Sequence, residues 1–169
     1  MTRFIKILFI SLAIVLVGVT IYFIFVQKTP NVTPLKSSTT SLQDLRAAPE
    51  KVVIQDSEYA LETYLWRDFM PISPPDGKPL IASVKVKPRV EITGTSKIGV
   101  TRLWVIKGEE IWETEFTDEE SATALEKVGR GGPKWGPGIT VDVVVRVIDL
   151  KSDEEYLLKA SKQEIRGTY

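Results

Sequence analysis

Arg130, Lys134 and Trp135 fall within one stretch, Gly129-Arg-Gly-Gly-Pro-Lys-Trp-Gly-Pro-Gly138, that concentrates more recognition chemistry than any other part of the chain. An indole beside two cations can stack on a sugar ring or grip a peptide. Trp135 could equally fold back and plug the end of a β domain, leaving the cations solvated. The stretch lacks the Gly-x-x-x-x-Gly-Lys-Ser/Thr pattern, and no helix is expected to begin where it ends, so it is not a phosphate cradle. A second group, Trp66 and Arg67 with Asp68 and Met70, stands just before a proline-rich turn and could border a binding surface. Against that, Trp66, Trp104 and Trp112 occur at strand spacing among apolar neighbours, which is how core residues are placed.

Catalytic chemistry has few carriers. The chain has no histidine, which removes the commonest general base, the Ser-His and Cys-His pairs and the commonest zinc ligand. It has no cysteine either, so there is no disulfide framework and no lipid-modified thiol. Carboxylates cluster at Glu109/Glu110, Asp118/Glu119/Glu120 and Asp153/Glu154/Glu155. Such groups can act as acid and base or hold calcium, but each run sits at a turn or a helix start, where solvated charge is ordinary. The adjacent pairs Ser96-Lys97 and Ser161-Lys162 would point to opposite strand faces. The expectation is no catalytic residue, no metal and no cofactor.

Charge argues against nucleic acid. The 22 basic and 22 acidic residues balance, but from Ser57 onward 16 basic face 19 acidic ones. A mildly acidic domain lacks the positive field that draws phosphate.

The elements that would position these groups are mainly strands. Tyr59 to Phe69 is rich in β-formers, with Leu61/Leu65/Phe69 on one face and Tyr64/Trp66 on the other. That suits a strand covered on both sides, or one whose outer face meets a partner. After the Pro-Asp-Gly turn signal, Leu80, Ala82, Val84 and Val86 alternate with Ile81, Ser83, Lys85 and Lys87. Ile98 to Ile106 and Ile111 to Phe116 flank Lys107-Gly108-Glu109 as a hairpin, with Val100, Trp104 and Ile106 expected to share a face. Thr117 and Glu120 form a capping box for a short helix carrying Ala122, Leu125 and Val128, which Gly129 would end; Gly129 to Gly138 would then be a loop. Ile139 to Ile148 is a β-branched strand with Val141/Val143/Val145/Val147 inward, paired with Tyr156 to Ile165.

Before the strands comes Ile7 to Val26, twenty residues without a charge. As a helix it spans about 30 Å, the hydrocarbon thickness of a bilayer. It is longer than a signal peptide's apolar core, and Gln27-Lys28-Thr29-Pro30 is not a small-x-small cleavage site, so a retained transmembrane anchor in the lipid bilayer is expected. Residues 1–6, with Arg3 and Lys6, would be a cytoplasmic tail, and the C-terminal domain would lie outside the cytoplasm. Residues 27–56, rich in Ser, Thr and Pro, would be a flexible stalk with a reach of roughly 30 Å. Leu42 to Leu45 could make one helical turn.

Residues 57–169 are therefore expected to form one mostly β domain. The Leu80–Val86 strand, Trp104 on the next, and Val141–Val147 with Tyr156–Ile165 resemble an immunoglobulin-like or fibronectin type III-like β-sandwich of about seven strands with one short helix. The chain also resembles small membrane-anchored bacterial envelope proteins. These resemblances imply a non-catalytic module that binds or scaffolds an envelope protein partner. The alternative is a small ligand- or carbohydrate-binding module using the Gly129–Gly138 loop.

Overall fold

The computed structural model describes residues 40–90, 98–116 and 125–169. The expected transmembrane helix Ile7–Val26, the tail before it, the stalk up to residue 39 and the capping box at Thr117 lie outside the described residues. Among the described residues no helix is long and apolar enough to cross a membrane.

One helix and eight strands follow in order: α1 (Leu42–Ala47), β1 (Lys51–Ile54), β2 (Ser57–Asp68), β3 (Leu80–Pro88), β4 (Ile98–Lys107), β5 (Glu110–Glu115), β6 (Glu126–Gly132), β7 (Thr140–Asp149) and β8 (Glu155–Thr168). The domain is mostly β. The strands form one sheet in the order β5-β4-β7-β8-β2-β3-β6, with β1 beside β2. The sheet curls until β6 lies against β5, so it nearly closes into a barrel. Strand β8 links its two halves. Its first part pairs antiparallel with β7, the register shifts where Lys162 takes a positive φ, and Ile165–Thr168 run parallel beside Leu65–Asp68. The expected β4–β5 and β7–β8 hairpins are present.

Alternation explains the core. Val84, Val86, Leu103, Val105, Val143, Val145, Leu158 and Ile165 point inward and are buried. The outer face of β4 and β7 is apolar as well, because α1 covers it: Leu45 and Ala48 pack on Trp104, Ile106, Val144 and Leu157. A register shift between Val100 and Arg102 changes the phase of β4. Val100 therefore joins Leu103 and Val105 inside, not Trp104 and Ile106 as simple alternation has it.

Two expectations are corrected. The stalk was expected to reach Asp56, but from Thr40 onward the chain is folded. Ser41 and Asp44 cap α1 reciprocally (Ser41 N–H to Asp44 Oδ2 2.9 Å, Asp44 N–H to Ser41 Oγ 3.2 Å), and Val52 and Ile54 of β1 are buried. Buried apolar side chains outweigh the linker-like composition here. Glu126–Gly132, expected as the end of a helix and the start of a loop, is instead a strand paired with β3. Gly129 and Gly132 allow close packing, and Gly131 takes a positive φ at the bulge.

Candidate functional site

Three of the five candidate residues meet at one end of the barrel, where they hold loops together. Arg67 points inward from the end of β2 and is 3% exposed. Its Nε donates to the carbonyl of Lys78 (2.9 Å), Nη1 to those of Lys134 (3.0 Å) and Gly136 (2.8 Å), and Nη2 to that of Asp76. One guanidinium thus ties the turn after β2 to the segment after β6. Lys134 closes the same junction from outside, Nζ to Asp76 Oδ2 at 2.5 Å, and this bond holds the Asp76 carboxyl below the usual range. Arg67 is therefore a buried clamp and does not border a binding surface as the sequence suggested. A side chain with five donors is what four converging carbonyls require.

Trp135 also turns inward. It packs on the main core, its Nε1–H donates to Glu110 Oε2 at 3.1 Å, and Lys107 Nζ stands 5.3 Å from its ring centroid. The hydrogen bonds from Lys107 and from the indole hold the Glu110 carboxyl below its ordinary value. Of the two roles open to Trp135, the plug matches its packing.

The seam between β5 and β6 is filled by Trp112. A Cβ added at Gly132 would meet the Trp112 ring at 2.7 Å, and one added at Gly129 would meet Leu103 at 2.9 Å and Thr114 at 3.0 Å. Glycine in a strand marks such a close approach.

Trp66 and Arg130 are brought together elsewhere, on the outer face of the half-sheet β8-β2-β3-β6. Trp66 is paired with Ile81 on one side and Arg166 on the other, and the bulge between Leu80 and Ala82 sets Arg130 and Gly131 against Ile81. A row Arg166–Trp66–Ile81–Arg130 therefore crosses four strands. Tyr64, 44% exposed, stands in the next row beside Ser83 and Val128. Its ring is 5.3 Å from that of Trp66, and the Arg166 guanidinium lies 5.1 Å above it. The following row is a polar border in which Lys85 pairs with Glu126 (2.9 Å) and Lys87 with Glu62 (2.7 Å). A shallow depression of about 370 Å³ lies between Glu62, Tyr64, Ser83, Lys85 and Glu126. Sequence alone does not mark Tyr64, Ile81 or Arg166 as site residues. The two-sided apolar pattern of β2 was the available signal for Tyr64; Arg166 could be added only with the parallel β2–β8 pairing in hand.

No family profile, characterised protein or solved structure matches the chain.

Proposed function

We propose that this is a membrane-tethered extracytoplasmic module of the immunoglobulin-like or fibronectin type III-like kind, non-catalytic, that holds a protein partner of the envelope. The sandwich reading is supported by the pairing: β1, β2, β3 and β6 form one side, β5, β4 and β7 the other, and β8 passes from the second side to the first. The tether rests on Ile7–Val26, and the outward orientation on Arg3 and Lys6. The observation that carries the binding role is the row Arg166–Trp66–Ile81–Arg130, where aromatic, aliphatic and arginine side chains share one outer sheet face. Protein interfaces are enriched in aromatic residues and arginine. The carbohydrate alternative keeps only Arg130 of its three groups unengaged, because Lys134 bonds Asp76 and Trp135 bonds Glu110.

The test is site-specific photo-crosslinking in cells that express the full chain. A crosslinking residue at Ile81 should yield a discrete adduct with a membrane or envelope protein. The same residue at Gln43, on α1, should not, and reversing the charge of Arg166 should remove the Ile81 adduct. Identical adducts from both positions, or none from Ile81, would overturn the reading.

A further inference from the structure

We infer that the face formed by β8, β2, β3 and β6 takes an extended polypeptide segment of the pattern Asp/Glu-x-apolar-x-Asp/Glu. The inference rests on the binding reading above and names the chemistry of the partner. Arg166 and Arg130 stand at the two ends of a row that crosses three strand spacings, so their backbones are about 14 Å apart. Between them lie Trp66 and Ile81. In an extended chain, residues i, i+2 and i+4 share a face, and four residues span about 13 Å. Two carboxylates at i and i+4 therefore match the two guanidiniums, with the side chain at i+2 over Trp66 and Ile81.

Charge selects the sign of the partner. The lysines of this face are neutralised by Glu126 and Glu62, and Lys78 at its end by Asp68. Arg130 and Arg166 have no carboxylate partner among the described residues; the Arg166 guanidinium lies over the Tyr64 ring. Glu164, on the exposed side of β8, is the face's one carboxylate without a basic partner among the described residues, so the arginines are in excess. Guanidinium is the group best shaped to take carboxylate by two parallel hydrogen bonds. The centre of the row selects a polypeptide over an acidic polysaccharide. Ile81 and the neighbouring Val128 offer no hydrogen bond, so sugar hydroxyls laid on them would lose their water without a partner, whereas an apolar side chain would not.

The full chain in lipid nanodiscs is titrated into two fluorescein-labelled peptides and followed by anisotropy. Gly-Asp-Ser-Leu-Ser-Asp-Gly presents its carboxylates with the leucine on one face; Gly-Ser-Asp-Leu-Asp-Ser-Gly has the same composition with the carboxylates on the opposite face. The first should bind about tenfold more tightly than the second, and Arg130→Gln or Arg166→Gln should each weaken it about tenfold. Gln43→Ala should leave it unchanged. Equal binding of both peptides, no effect of either arginine variant, or no binding up to about 1 mM would overturn the inference. So would binding of an alginate oligosaccharide in place of the peptide, which would assign the face to polysaccharide. Failure here with the Ile81 crosslink intact removes this partner chemistry alone; loss of the crosslink removes the binding reading itself.

Discussion

At Gly132 a single added methyl group would land 2.7 Å from the Trp112 ring, nearer than carbon atoms come without one of them moving. The ring is held by the core beneath it, so Gly132→Ala should cost about 1–3 kcal/mol by overpacking. Gly108→Ala is the comparison. Nothing lies within 4 Å of its added Cβ, and only its positive φ opposes the change, for about 1 kcal/mol. Urea unfolding read by tryptophan emission should show the larger loss at Gly132; equal losses would mean that Trp112 yields freely. Asp149, at the other end of the barrel, is a buried carboxylate whose titration bears on stability. Burial pushes its carboxyl up, but hydrogen bonds from the Lys151 N–H (2.8 Å), from Gln55 (2.5 Å) and from Ser152 outweigh this and leave it below the ordinary value. Its folded pKa being below the unfolded one, its contribution is present above about pH 4 and is lost as pH falls further. Asp149→Asn should lower the melting temperature at pH 7 yet flatten its decline in acid. An unchanged acid slope would exclude Asp149 as a source of the acid sensitivity.

The helix α1 has six residues, too few to hold together in water alone, and its Ser41–Asp44 cap adds only about 1 kcal/mol. It exists because Leu45 and Ala48 find an apolar surface on β4, β7 and β8. Leu45→Ala should therefore cost about 2–5 kcal/mol, read in thermal melts of the full chain, and expose Trp104 to a quencher. A loss under about 1 kcal/mol would mean that the helix is not part of the folded unit. Strands β2, β3, β4, β5, β7 and β8 were legible because a period of two is printed into residues such as Leu80–Val86 and Val141–Val147. The rest fails for physical reasons. The Ser41 and Asp44 signal was outweighed by the Thr and Pro around it. Glu126–Gly132 looked like a helix end because Gly129 can stop a helix as well as make room for an indole. In the site, Trp66 and Arg130 were visible singly, but their meeting depends on β3 lying between β2 and β6, a long-range pairing that no local pattern carries.

Across the β domain, Thr40 lies on one side and the proposed binding face on the other. Thr40 rests on the outer face of β7, its Oγ1 accepting from Arg146 Nη2 at 2.8 Å, while Trp66 and Ile81 occupy the outer face of the opposite half-sheet. An envelope partner can reach Trp66 and Ile81 only if the domain is outside the cytoplasm. The absence of cysteine makes this directly measurable. Lys151 is exposed in the turn between β7 and β8, away from Trp66, and only its backbone N–H bonds Asp149, so Lys151→Cys supplies a unique thiol without touching the core or the row. In intact cells, or in spheroplasts where an outer membrane blocks access, a membrane-impermeant maleimide should label it without detergent. Orientation is attributed to Arg3 and Lys6, opposed only by Lys28 and Lys36 beyond the apolar run. Arg3→Gln with Lys6→Gln should thus divide the population between two orientations and reduce the labelling. Labelling that appears only after detergent would place the β domain inside, and labelling indifferent to the two charges would remove them as the determinant of orientation.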